Sequence, residues 1–271
     1  MDLQLDGKCA LVSGGSSGIG AECARWLARE GVAVVVAGRD RERCEAVAAE
    51  IGHEGGTAAA VTGDLSTDAG AQHVALAALQ TRGRIDILVS NAGGASHGRG
   101  IDGWAGAAPA DWVDAYSSNT VGTVRLIRQL APHMVERRWG RLITMASAAA
   151  ISPNPGMAHY AAAKAAIINL TLSASKAFSG SGVTANTISP GMIRTPSLDE
   201  WLDDIARAQG WPGDRDRSAA WAIANIVPQT VTRMGSVEDI AAAVTYLASP
   251  LAGFITGANF RIDGGRSPSM N

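Results

Sequence analysis

Short runs of β-branched and other apolar residues alternate with longer stretches whose apolar positions recur at helical spacing, the pattern of βαβ units built on a parallel sheet. Strands are predicted at Cys9 to Ser13, Val32 to Ala37, Thr57 to Val61, Ile85 to Ser90, Arg141 to Ala146, Val183 to Ser189 and Asn259 to Ile262. Helices are predicted at Gly18 to Arg29, Arg41 to Ile51, Asp68 to Arg82, Asp111 to Arg138, Tyr160 to Phe178 and Val237 to Ala248. Helices on both faces of a seven-stranded sheet make the expected fold a doubly wound α/β (Rossmann) fold. With no repeat and no low-complexity linker, residues 1–271 read as one domain. Two irregular excursions interrupt it: a Gly-rich loop over 93–108, and a segment over 196–235 that carries Trp201, Trp211 and Trp221.

Composition narrows the partners. Of 271 residues, 46% are hydrophobic and 18% charged, enough for a sizeable core. Basic and acidic residues number 23 and 25 and form no blocks, so nucleic acid and membrane surfaces are not expected partners. Cys9, Cys23 and Cys44 lack metal-ligand or disulfide spacing, and an odd count suits a reducing compartment, with the thiols in the core or on helix surfaces. The N-terminus shows no basic region followed by an apolar stretch. The longest stretch free of Asp, Glu, Lys and Arg, Leu142 to Ala163, is broken by Pro153, Asn154 and Pro155. A soluble, cytoplasmic protein is the expectation.

Directly after the first strand stands Ser13-Gly14-Gly15-Ser16-Ser17-Gly18-Ile19-Gly20, leading into a helix. Glycines let the backbone turn tightly and approach a ligand, and the helix N-terminus offers unpaired N–H groups to a pyrophosphate. In a dinucleotide fold a carboxylate about 20 residues further on takes the adenosine ribose 2′-hydroxyl, whereas an Arg takes a 2′-phosphate. The second strand here ends in Gly38-Arg39, so Arg39 points to NADP(H) over NAD(H); the alternative is that Asp40, one position on, makes the ribose contact.

Tyr160 and Lys164 are four apart in an Ala-rich helical segment and share one face. Tyrosines and lysines number only three each, against 20 arginines, so chance supplies roughly 0.03 such pairs. An ammonium can bind ribose hydroxyls and lower the pKa of a neighbouring phenol, making Tyr160 a usable general acid or base. Ser147 follows the fifth strand, where parallel-sheet sites open, and its hydroxyl can hold a carbonyl oxygen beside the tyrosine. No His/Cys cluster suggests a metal; His97 reads as a loop residue and His159 as a helix-surface residue.

These residues resemble the short-chain dehydrogenase/reductase family, and within it the 3-oxoacyl carrier-protein reductase-like group, over nearly the whole chain. Gly14 through Gly20 resembles its cofactor loop, with Ser13 where Thr is usual. Asp64, followed by Leu65, resembles its adenine-contacting acid, and Ser90-Asn91-Ala92-Gly93 its turn after strand four, with Ser90 replacing Asn. Asn119, Ser147, Tyr160 and Lys164 align with its catalytic set, Asn119 then supporting a water near Lys164 in a proton relay. Asn186 to Thr195, with Pro190, Gly191, Ile193 and Thr195, resembles the segment that holds nicotinamide, and Ile255-Thr256-Gly257 through Asp263-Gly264-Gly265 its C-terminal signature.

The resemblance implies an NADP(H)-dependent oxidoreductase that interconverts a ketone and a secondary alcohol, and a homo-oligomer, tetramer or dimer. Segment 196–235 is expected to fold over the substrate, its tryptophans and Trp104 either lining a pocket or packing the lid itself. Arg137-Arg138 resembles a basic spot used toward an acidic carrier, but Ser179-Gly180-Ser181-Gly182 lacks the second basic residue, which favours a free ketone. A 3-oxoacyl-carrier-protein reductase, and a non-catalytic NADPH-binding regulator on the same fold, are the alternatives.

Overall fold

In the computed structural model, which describes residues 1–94 and 104–268, seven strands form one parallel sheet: β1 (Cys9–Ser13), β2 (Ala33–Gly38), β3 (Ala58–Thr62), β4 (Ile87–Ser90), β5 (Gly140–Met145), β6 (Val183–Pro190) and β7 (Asn259–Ile262). Their order is β3-β2-β1-β4-β5-β6-β7. Strand order reverses between β1 and β4, and the crevice at their carboxyl ends is where ligands of open α/β sheets bind. Helices α1 (Gly18–Arg29), α2 (Arg41–His53) and α3 (Asp68–Arg82) precede β4, and α4 (Pro109–Tyr116) and α5 (Gly122–Glu136) precede β5. Helix α6 (Ala158–Ala177) lies between β5 and β6, while α7 (Pro196–Ala208), α8 (Arg215–Asn225) and α9 (Val237–Ala248) lie between β6 and β7.

The strands read as continuous apolar runs because both faces are covered. Ala10, Val12, Val34, Val36, Ile87 and Val89 pack with α1 and α9 on one side, whereas Leu11, Val35, Ala37 and Leu88 pack with α3 and α5 on the other. All three cysteines are buried, so none is a surface thiol. No helix among the described residues is long and apolar enough to cross a membrane.

Two predicted segments differ. The helix expected over Asp111 to Arg138 starts at Pro109 and widens into a π-helical turn at Ser117–Val121 between α4 and α5. There Ser118 and Thr123 donate back to the carbonyls of Asp114 and Asn119, at 2.8 and 3.1 Å, competition typical of hydroxyl side chains in helices. Such bulges recur at functional sites, and this one carries Asn119.

The segment 196–235 is not irregular. It holds two helices whose own cluster of Leu202, Ile205 and Ala222 is joined by Trp201, Trp221 and Met234. An ion-pair ladder crosses them: Arg215 of α8 binds Asp203 of α7 through two 2.7 Å bonds and reaches Asp199 at 3.4 Å. Arg194, just before α7, pairs with Asp199 at 3.2 Å and Asp216 at 2.7 Å. Exposed pairs of this kind are screened by salt. Arg215→Gln is expected to speed hydrogen–deuterium exchange across residues 215–225 severalfold, with molar salt reproducing part of the effect in the parent protein. Identical exchange in parent and variant would assign the cohesion of this helix pair to its apolar cluster alone.

Candidate active site

The turn from β1 into α1 is welded to the end of β4. Ser13 Oγ accepts from the backbone N–H groups of Asn91 and Ala92, both at 3.1 Å, and Asn91 Nδ2 donates to the Gly14 carbonyl at 3.1 Å. A Cβ at Gly20 would stand 2.2 Å from that carbonyl oxygen, and one at Gly14 2.9 Å from Ala92 Cα, so only glycine allows the closure. Ser16 lies against Gly38, and Ile19 packs on the core. Ser17, the N-cap of α1, makes no side-chain cap bond, so it leaves first-turn N–H groups for an anion. Gly18 faces Thr195.

Arg39 is exposed at the end of β2. Asp40 is committed elsewhere, since its carboxylate caps α2 through Arg43 N at 3.1 Å and pairs with Arg43 Nε at 3.2 Å. Asp64, exposed after β3, accepts from Ser66 N at 2.9 Å. That bond chiefly holds its carboxyl below the usual range, helped by the Ser66 hydroxyl and the charges of Arg39 and Arg125. The Leu65 carbonyl accepts from Arg125 at 3.2 Å.

Across the crevice, Ser147 stands two residues beyond β5 and caps the Ala148–Ala150 turn, its hydroxyl accepting from Ala149 N at 3.1 Å. Tyr160 sits in the first turn of α6, half-buried. Burial raises its phenol above the ordinary value, and a hydrogen bond with Ser147 pulls the other way. Lys164, one turn on, is 3% exposed. Its Nζ donates to the Met145 carbonyl at 2.9 Å and lies 5.7 Å from the Tyr160 ring centroid. Desolvation brings its ammonium down to about 8. The phenol is thus not lowered as expected in the folded chain, because the desolvation of its own anion outweighs the neighbouring groups.

Asn119 is fully buried and spends its amide on structure. Oδ1 accepts from Gly94 N at 3.0 Å, and Nδ2 donates to the carbonyls of Gly94 and Ala115 at 3.1 and 3.0 Å. The backbone of Gly93, where a Cβ would meet Asn119 Oδ1 at 2.5 Å, is held in the same clasp. Thr120 ties the π turn to α6 through the Ala163 carbonyl at 2.9 Å. Ser90 donates to Thr123 at 2.9 Å, the task found for the hydroxyl that replaces Asn. Beyond β6, which ends at Pro190, Gly191 N donates to the Ile262 carbonyl at 2.9 Å, Ile193 bridges to Gly235, and Thr195 caps α7 through Leu198 N at 3.3 Å.

A short chain dehydrogenase family model matches residues 8–206. The chain belongs to the short-chain dehydrogenase/reductase family. This dehydrogenase is 34% identical to a 3-oxoacyl-(acyl-carrier-protein) reductase FabG of Vibrio cholerae, over 97% of this chain and 98% of the relative. Its fold superposes with a TM-score of 0.91 at 28% identity on an L-sorbose reductase from Gluconobacter frateurii complexed with NADPH and L-sorbose, covering 100% of both chains. It also superposes with a TM-score of 0.82 at 29% identity on a 7 alpha-hydroxysteroid dehydrogenase complexed with NADH, covering 100% of this chain and 98% of that one.

The C-terminal signature of the dehydrogenase serves as a brace. Thr256 Oγ1 accepts from Ala185 N at 3.1 Å, while Asn186 of β6 exchanges bonds of 2.8 and 3.1 Å with Ile255 and Ala258. Asp263 accepts from the backbone N–H groups of Gly265 and Ser267, both at 3.0 Å. Trp201 and Trp221 pack the cluster between α7 and α8, and Trp211 carries the Arg217 guanidinium 4.1 Å from its ring centroid. Trp104 stays 65% exposed. Arg137 donates to the Ile85 carbonyl at 2.7 Å and Arg138 to that of Gly180 at 3.3 Å, so both reach backbone at the amino ends of the strands, away from the crevice. His159 is buried rather than on the helix surface. His97 and most of the 93–108 loop lie outside the described residues. Among the described residues no group of three His, Cys, Asp or Glu is placed to hold a metal.

Proposed function

We propose that this dehydrogenase is an NADP(H)-dependent ketoreductase, acting on a small free ketone and, in reverse, on the secondary alcohol. The observation that carries this reading is the convergence of Ser147, Tyr160 and Lys164 beyond the carboxyl end of β5, on the same edge of the sheet as the glycine turn that follows β1. The uncapped first turn of α1 fits a pyrophosphate, and Thr195, which lies against Gly18, and Ile193 flank the place for nicotinamide. Asp64 and Leu65 border the adenine end, with Asn91, Ala92 and Gly93 closing the floor. When bound, the dinucleotide exchanges a hydride with the carbonyl carbon.

The protein's groups do the rest. Ser147 holds the carbonyl oxygen and Tyr160 donates the proton. A phenol kept protonated by burial is poised as an acid, which favours reduction. Lys164 binds the ribose and replaces the proton. Asn119 acts as a positioning residue that sets Gly93 and Gly94, and its π turn lets a relay to solvent pass beside it. Segment 196–235 closes over the substrate. Arg137 and Arg138 are occupied by backbone carbonyls, which argues against a carrier-bound substrate.

Asp40 is used as a helix cap, so Arg39 is the group left for the ribose end, and its charge suits a 2′-phosphate. Arg39→Ala is expected to lower the ratio of kcat/KM for NADPH over NADH by about ten- to a hundredfold. An unchanged ratio would sink the NADP(H) assignment. A panel of ketones and alcohols run with both cofactors, followed by nucleotide absorbance, tests the activity itself; no ketone-dependent change in any pairing would overturn it.

A further inference from the structure

A hydroxyl side chain inside a helix ordinarily returns to its own carbonyl one turn back. Thr81, Thr171 and Thr245 do so here, donating to the carbonyls of Ala77, Ile167 and Ala241 at 2.7, 2.7 and 2.8 Å. Ser118 and Thr123, on either side of Thr120, do the same. Thr120 itself does not. Its Oγ1 leaves the π turn, crosses to α6 and donates to the Ala163 carbonyl at 2.9 Å. Both residues are 1% exposed, so the bond is made away from water. That carbonyl belongs to the peptide joining Ala163 to Lys164, whose N–H turns back toward the Tyr160 carbonyl in a continuous helix. The bond therefore lands on the stretch of backbone that connects the phenol to the ammonium.

Two further observations bear on this contact. Helix α6 starts without a side-chain cap, because Met157 at its N-cap offers none, so the first turn that carries Tyr160 lacks the usual tether. The far end of the π turn is anchored as well: Ser90 at the end of β4 donates to Thr123, which donates to the Asn119 carbonyl, at 2.9 and 3.1 Å. All three residues are buried. The π turn is thus a strut between β4 and α6, and Thr120 is its joint to α6.

We propose that Thr120 is a positioning residue for proton transfer, holding the Tyr160–Lys164 turn in place through the Ala163 peptide without touching the substrate. This rests on the ketoreductase reading above. Small misplacement of reacting groups is costly in rate, and Thr120→Val removes the donor while keeping the shape. With NADPH and whichever of 2-hexanone, ethyl acetoacetate and a ketohexose the parent protein reduces fastest, kcat in Thr120→Val is expected to fall about tenfold. The KM for the ketone and the Kd for NADPH should stay within about twofold. Thr120→Ser, which keeps the donor, is expected to recover most of the lost kcat. Thr171→Val removes an equally buried hydroxyl from the same helix; it is expected to melt below the parent with kcat within about twofold. In the protein without cofactor, amides 160–165 are expected to exchange hydrogen severalfold faster in Thr120→Val than in the parent or in Thr120→Ser. An unchanged kcat in Thr120→Val, no recovery in Thr120→Ser, or an equal loss in Thr171→Val would overturn the assignment. If the parent reduces none of the three ketones, the ketoreductase reading fails instead, and unchanged exchange in Thr120→Val would separately remove the joint.

Discussion

Tyr160→Phe is expected to lower ketone turnover by about 10³- to 10⁴-fold, the upper part of what a positioned acid supplies, while the Kd for NADPH, read by cofactor fluorescence, stays within about twofold. The two outcomes separate because the phenol hydroxyl touches Ser147 and not the glycine turn. Burial keeps this phenol protonated across the neutral range, so reduction by the parent protein should hold level through neutrality. It should fall only in alkali, as Lys164 and then Tyr160 lose their protons. Residual turnover in Tyr160→Phe above about a tenth of the parent rate would remove the proton from the hydroxyl assigned to it.

Lys164→Met should separate stability from function. The ammonium is fully desolvated and titrates near 8 in the folded chain, against about 10.4 when unfolded. Between those values the unfolded chain binds more protons, so stability rises with pH through that window, and below it the folded state carries the full penalty. Removing the charge relieves on the order of 3 kcal/mol at neutral pH. Losing the bond to the Met145 carbonyl returns about 1 kcal/mol of that. Lys164→Met is therefore expected to melt several degrees above the parent at pH 7, with the gap closing by pH 10, while turnover falls by about 10³-fold or more. A lower melting temperature at pH 7 would mean that the folded chain stabilises this ammonium rather than tolerating it.

Much of this was legible from local rules. The strands show as apolar runs because helices cover both faces, and α1, α3 and α9 begin and end where the periodic pattern does. The Tyr160–Lys164 pair needed only helical spacing and the scarcity of both residue types. Other features depend on contacts that spacing does not carry. The clasp of Asn119 on Gly94 joins residues 25 apart, and Ser-Ser-Asn-Thr within a helical run does not announce a π turn. The helices α7 and α8 were hidden because Gly210, Pro212 and Gly213 punctuate the segment, and α8 opens on the charged run Arg215-Asp216-Arg217, so its short apolar face against α7 is joined by ion pairs that spacing does not show. His159 reads as a surface residue until Trp112, 47 positions earlier in the chain, is brought across it.

The single bridge between Ile193 and Gly235, flanked by the Arg194–Gly235 and Gly235–Met192 hydrogen bonds of 2.8 and 2.9 Å, makes the chain leave and re-enter the domain at almost one point. Everything between is a cassette with its own small core and its own charges. Because lengthening such an excursion costs only a slowly growing closure entropy, a different cassette could be carried on the same stem. On the function proposed above, the parts that hold the dinucleotide would then stay fixed while the parts that choose the ketone are exchanged.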